Sequence, residues 1–232
     1  MKKMKKNKEN KDNDKFDKLV VGLLILVVVL MAFNQVSVLK VSAMVGGSKN
    51  KNVGMNLDNV DLSEIKSTGH SVAELFPVQD IKTTQDAVDI MISVGTPDYG
   101  PALGVSYDDP ILGLSILMKL DNSVQLTAQE NERYLNIVTK PLGISCEFCC
   151  GVGAVGVDKN GKGICGCQHN PALLGLTKWL IQNTDYSDGE IVREALRWKT
   201  LFFPKDMVNL ALTVAGGDTS QLDELPGMVG GC

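Results

Sequence analysis

Three hydropathy regimes follow one another along the chain. Residues 1–18, MKKMKKNKENKDNDKFDK, show no apolar periodicity and are expected to form a disordered polar head. Residues 19–33, LVVGLLILVVVLMAF, then run without a charge, and continuing through NQVSVL to Leu39 gives 21 residues. As a helix this stretch would be about 31 Å long at ~1.5 Å per residue, enough to cross a bilayer. It is apolar on every face, whereas a soluble surface helix keeps a polar one. Residues 40–70 turn to Gly, Asn, Ser and Lys and read as a flexible linker, with His70 solvated at its end.

The third regime, residues 71–232, carries mixed and mostly helical patterning. DAVDIMISV (86–94) alternates poorly, TPDYGPALG (96–104) is turn chemistry, and ILGLSILMKL (111–120) is too short and apolar for periodicity to type. Beyond it the signals sharpen. Thr127 and Glu130 form a capping box for a helix from about Ala128 to Thr139, with Tyr134, Leu135 and Val138 on one face and Pro141 closing it. Asn170-Pro171 reads as a cap with a first-turn proline, opening a helix through Ile181. Ser187 and Glu190 form a second capping box for a helix to about Phe202. Lys205 to Ala215 reads as a further helix, ended by Gly216 and Gly217. Trp179 and Trp198 fall on amphipathic helices as core residues. The expected architecture is mainly α: a small helical domain around a cysteine-rich β-hairpin or knuckle, preceded by one N-terminal transmembrane helix.

Charge adds an orientation. The head holds eight lysines against four acidic residues, so of the chain's 23 basic and 27 acidic residues the remainder holds 15 and 23. Lysines before the apolar run keep that end cytoplasmic and place the acidic body outside the cell membrane. Val41-Ser42-Ala43 has the small residues of a signal-peptidase site, but it stands ten residues past Phe33, and a retained anchor is the reading adopted. An acidic body lacks the basic face that nucleic acid requires. A protein partner is not specified by a charge balance.

The chemistry is concentrated in CEFCCGVGAVGVDKNGKGICGCQH, residues 146–169, with five of the six cysteines and one of the two histidines. Cys146, Cys149 and Cys150 at i, i+3 and i+4 share one face if the segment is a helical turn, which Ser145 would cap. Asn160-Gly161 is a strong turn signal between Val155-Gly-Val157 and Ile164, predicting a hairpin that returns the chain to its start. Cys165, Cys167 and His169 would then lie beside the three thiols, at the positive end of the following helix. Six such donors fit zinc or copper(I), with an iron–sulfur cluster a poorer match. One four-coordinate ion uses only four of them. The surplus means two ions, a neighbouring disulfide, or thiols that ligate nothing. Cys232, after flexible Gly-Gly, is a further candidate ligand or disulfide partner.

Rival readings differ in what they need. Six cysteines in an exported domain suit structural disulfides, the main alternative, although adjacent Cys149 and Cys150 should not bond each other. A membrane-tethered thiol oxidoreductase would use the C-x2-C spacing but needs a βαβ context that the pattern does not supply. Gly151, Gly153 and Gly156 match G-x-G-x-x-G, yet no strand precedes them and no helix opens after them. They are read as letting the backbone wrap a site. Asp108 and Asp109 before Pro110 are solvated turn carboxylates, and no catalytic constellation is present.

Taken together, ISCEFCCG, CGCQHNPALLGLTKWL, YSDGEIVREALRWKTLFFPK and LPGMVGGC resemble a family of membrane-anchored, cysteine-rich proteins of archaea and candidate-phylum bacteria. There the CxxCCG, CxCxH and FFPK blocks recur in this order. The resemblance covers about residues 80 to 232, with YGPALGVSYDDP as a weaker block. CGC is also similar to the motif of PCYCGC proteins, from which Gln168-His169 departs. The first resemblance implies a single-pass, exported metal-binding domain without an assigned reaction, and a C-terminal MVGGC in which Cys232 joins the cluster.

Overall fold

The computed structural model describes residues 55–217 and 228–230, all within the unit Asn50–Cys232. The polar head, the apolar run at 19–39 and the linker up to residue 54 lie outside the described residues. Among the described residues no helix is long and apolar enough to cross a membrane.

The described part is mainly helical, and local signals account for most helix ends. Helix α1 (Thr68–Leu75) is capped by Ser67, whose side chain accepts from the His70 N–H. Helix α2 (Thr84–Met91) starts with a capping box of Thr83 and Asp86, which settles the ambiguous DAVDIM stretch as helix. A one-turn helix α3 (Gly100–Leu103) sits inside the expected turn. Helix α4 (Pro110–Ser123) takes up the apolar run of undecided type, with Asp109 as its cap and Pro110 in its first turn. The expected capping boxes of α5 (Ala128–Val138) and α8 (Asp188–Phe202) both form. Between them lie α6 (Glu147–Cys150) and α7 (His169–Asn183). Helix α9 (Pro204–Ala215) ends at Gly216, whose φ of 73° is the left-handed cap that glycine adopts without strain.

Helix α7 is the centre of the assembly. It packs most extensively on α4, and also on α5 and α8, while α9 covers α1, α2 and α8. Two glycines set the spacing. A Cβ at Gly175 of α7 would stand 2.5 Å from the Leu117 carbonyl and 2.6 Å from the Asp121 nitrogen, so the α4 and α7 backbones approach directly. A Cβ at Gly113 of α4 would stand 2.3 Å from the ring of Trp198, the largest fully buried side chain. Trp179, by contrast, is only half-buried against the core.

A buried polar knot ties the turn region to α8. Tyr99 donates to Glu194 at 3.1 Å, Tyr107 donates to the same carboxylate oxygen, and Arg197 donates to the other. The Trp198 indole N–H completes it by donating to the Tyr99 hydroxyl at 2.7 Å. Burial and the adjacent carboxylate push both tyrosines well above the ordinary phenol range, so they remain donors.

Two expectations are corrected. Residues 55–70 are not a free linker: Leu57, Leu62, Ile65 and Thr68 are buried in the core, and α1 already starts at Thr68. Three apolar residues spaced through a polar stretch have no helical or strand period, which is why they read as linker. The hairpin is reduced to a turn closed by one antiparallel bridge, Val157 to Gly163, and no strand forms among the described residues. The turn itself is as expected. Asp158 Oδ1 accepts from the Asn160 and Lys162 N–H groups at 2.8 and 3.0 Å, and Gly161 takes a φ of 75°. Glycines flank the bridge, and two strands without a third gain little from pairing.

The Gly175 contact generates a stability prediction. Gly175→Ala should lose about 2–3 kcal/mol in urea denaturation, because the methyl group meets the α4 backbone at Leu117 and Asp121 and cannot be accommodated by a rotamer change. Gly166→Ala, where nothing lies within 4 Å of the added Cβ, should stay within about 0.5 kcal/mol of wild type.

Candidate metal centre

The first arm is a single helical turn. The Cys146 carbonyl accepts from the Cys149 N–H at 2.9 Å and the Cys150 N–H at 3.2 Å, and Gly151 ends the turn at a φ of 66°. The three thiols therefore share a side, as their spacing requires. Ser145 is not the cap: it is buried, and its hydroxyl donates to the Gly153 carbonyl at 2.6 Å.

The second arm comes back along the turn and enters α7 directly. His169 is the first residue of that helix, so the expected cap at Asn170 is displaced by two positions to Gln168, which makes no side-chain capping bond. Asn170 has a different task. It is fully buried and donates from Nδ2 to the Gly156 carbonyl at 2.8 Å, fastening the start of α7 to the glycine loop. A Cβ at Gly156 would lie 2.3 Å from Asn170 Oδ1, so only glycine fits there. Gly151 and Gly153 have positive φ, and the G-x-G-x-x-G stretch follows a one-turn helix. The stretch therefore lacks the preceding strand that a dinucleotide loop has.

The two arms bring six donors into two overlapping groups. The sulfurs of Cys146, Cys150, Cys165 and Cys167 all lie within 4.8 Å of one another, and so do the donor atoms of Cys149, Cys167 and His169. Cys146 and Cys167 are buried and unbridged. Cys150 and Cys165 form the outer pair, with their sulfurs in disulfide contact and their Cα atoms 6.8 Å apart. Cys149 and Cys150 do not bond each other; their sulfurs stand 3.6 Å apart. The cluster is thus compatible with a metal ion or with a disulfide staple. Tetrahedral coordination with metal–sulfur bonds of about 2.3 Å puts sulfurs roughly 3.8 Å apart, so the Cys150 and Cys165 sulfurs would have to part from their disulfide contact to ligate one ion. Cys232 lies outside the described residues.

His169 is held like a ligand. Its ring is fully buried, with centroids 4.8 Å from Phe203 and 5.4 Å from Phe202. Nε2 is 2.8 Å from the Val229 carbonyl, which can only accept, so Nε2 carries the proton. That leaves Nδ1 as a lone pair, buried and, among the described residues, without a hydrogen-bond partner. A metal-ligating histidine characteristically donates its other ring nitrogen to a carbonyl or carboxylate in this way. Val229 is itself fixed by its N–H donating to the Phe202 carbonyl at 2.8 Å. His70, by contrast, lies far from solvent exclusion, half-exposed beside Glu74 at 3.7 Å.

Sequence reasoning missed Lys199. Fully buried on α8, it donates to the Gly143 carbonyl at 2.8 Å and to Glu147 at 2.7 Å, and stands 4.9 Å above the Phe148 ring. Burial pulls its pKa down, while Glu147 and the nearby Cys146 oppose that change. Cys146 is pushed up to about 12 by burial and by the Cys167 thiol, with Lys199 working the other way. The sequence did hold a signal. Lys199 lies between Leu196 and Phe202 at helical spacing, a charge on an otherwise apolar face.

Removing one member of the Lys199–Glu147 pair strands the other. Glu147→Ala should cost about 3 kcal/mol or more in urea denaturation, because an unpaired ammonium stays buried. The double variant Glu147→Ala/Lys199→Met should recover part of that loss, and equal losses in the single and double variants would show that the pair is not coupled.

Comparison of the chain with protein-family models, with curated proteins and with solved structures gives no match, so the reading of this centre rests on its own geometry.

Proposed function

We propose that this protein is a single-pass, membrane-anchored metal-binding protein whose domain lies outside the cytoplasm, with zinc or copper(I) held by the Cys/His cluster. The observation that carries the reading is the convergence of four cysteine sulfurs within 4.8 Å beside a histidine whose Nδ1 is buried and, among the described residues, unpartnered. Cysteine sulfurs and an imidazole gathered in one place offer a donor set, and soft thiolates with an imidazole select these ions once the disulfides are reduced. Cys146, Cys150, Cys165 and Cys167 would supply the principal four-coordinate site. The anchor is residues 19–39, read from hydropathy, and the orientation follows from the lysines before it. The likeness to membrane-anchored, cysteine-rich proteins points the same way.

The contact between Cys150 and Cys165 favours a second reading, a disulfide-stapled interaction domain without metal. An oxidising compartment would support it. The two readings part on metal content and free thiols.

Full-length protein purified in detergent without oxygen should carry at least one equivalent of zinc or copper, with its thiols unreactive until a chelator removes the ion. Cys146→Ser and Cys167→Ser should each lower that content sharply. Absence of metal, with Cys150 and Cys165 unreactive to alkylation after unfolding unless a reductant is added, would establish the stapled domain instead. Topology has its own measurement: protease added outside intact spheroplasts should degrade the domain and spare an N-terminal tag. Survival of the domain under those conditions would reverse the orientation.

A further inference from the structure

We infer that the cluster carries out thiol–disulfide exchange: the buried thiols of Cys146 and Cys167 reduce the Cys150–Cys165 disulfide in place, and the dithiol so formed passes its electrons to an external disulfide. This rests on the second reading above, in which Cys150 and Cys165 are bonded, and it applies to the metal-free protein.

The geometry sets a reduced couple beside an oxidised one. Cys150 and Cys165 are joined, Cys146 and Cys167 are free, and the four sulfurs lie within 4.8 Å of one another. Cys149 is itself disulfide-bonded and takes no part. Burial separates the two couples: Cys146 and Cys167 are buried, Cys165 is half-buried and Cys150 is exposed. An external disulfide therefore meets the couple that has no electrons to give, while the couple that has them is shielded. Exchange between the couples connects the buried thiols to the surface. Cys167 also lies within 4.8 Å of a ring nitrogen of His169. With Nε2 committed to the Val229 carbonyl, Nδ1 is the nitrogen placed to accept the Cys167 proton.

The step balances within the chain. The Cys167 sulfur, as thiolate, attacks Cys165 and expels Cys150, the sulfur whose thiolate water can solvate. The Cys146 sulfur then attacks Cys167 and expels Cys165. One S–S bond forms as one breaks each time. The inner couple has lost two electrons and two protons, and the outer couple has gained them. An external disulfide, R–S–S–R, takes both from the outer dithiol, leaves as two R–SH, and restores the Cys150–Cys165 bond. The net change is one inner disulfide formed for each external disulfide reduced.

The test uses full-length protein purified in detergent under air with a chelator. Alkylation after unfolding should label Cys146 and Cys167, and should reach Cys150 and Cys165 only once a reductant is added. Labelling of all four without reductant removes the staple, and the inference with it. Folded wild type treated with dithiobis(nitrobenzoate), an aromatic disulfide, should release two equivalents of thionitrobenzoate and gain a Cys146–Cys167 disulfide. Cys150→Ala/Cys165→Ala keeps the buried thiols and lacks the outer bond, so its release should be about tenfold slower or worse. Equal rates, or no release from folded wild type, overturn the inference and leave the staple standing. Should that variant fail to fold, Cys146→Ser decides: Cys167 should be found bonded to Cys165, with thionitrobenzoate on Cys150. Thionitrobenzoate on Cys167 beside an intact Cys150–Cys165 bond refutes the exchange.

Discussion

Burial of α7 along its length is the constraint on which the site depends. The helix contacts α4, α5 and α8, and Gly175 lets the α4 backbone come against it directly. Its position is therefore fixed by the core, not by the cysteine loop. Because His169 is its first residue, and Cys167 stands two residues before that, the core decides where two of the donors sit. The other arm is brought to meet them. Asn170 grips the glycine loop at Gly156, and Tyr134 of α5 donates to the Gly161 carbonyl at 2.9 Å, holding the far end of the turn. Rigid helices carrying a wrapped loop form an arrangement that would hold a ligand set, or a disulfide pair, in place.

The electrostatics follow from the same packing. Helix α8 runs beneath the first arm and places Lys199 where it joins Glu147 of α6 to the Gly143 carbonyl. The cation thus stabilises both the one-turn helix and the negative charge that thiolates would bring. Phe148, Phe202 and Phe203 surround His169 and Lys199 with low-dielectric surface, which strengthens every charge interaction inside. Five residues earlier on α8, Glu194 plays a comparable part with Tyr99, Tyr107 and Arg197. One helix therefore carries two buried ionic groups, each satisfied by elements distant in sequence.

Much of this was legible from the chain. Capping boxes at Thr127 and Ser187 marked helix starts because their signal is local, a hydroxyl and a carboxylate three residues apart serving each other's backbone. The Cys146–Cys150 turn and the Asp158–Gly161 turn were local as well. Asn170 misled for an informative reason. Asparagine before proline is a good cap, but here its side chain had a better partner in Gly156, across the loop. Residues 55–70 misled because three isolated apolar residues gain their meaning only from the core surface they meet.

What the sequence by itself determined is the helical character of the body, the turn that reverses the cysteine stretch, and the six donors on its two arms. These depend on contacts within a few residues, where spacing alone sets geometry. Only the tertiary structure decided how those donors divide into two groups around Cys167, and that His169 keeps a lone pair on Nδ1 by giving its proton to Val229. It likewise decided that Lys199 lies buried beside them. Each of those facts joins residues tens of positions apart, and packing, unlike spacing, is a property of the whole folded chain.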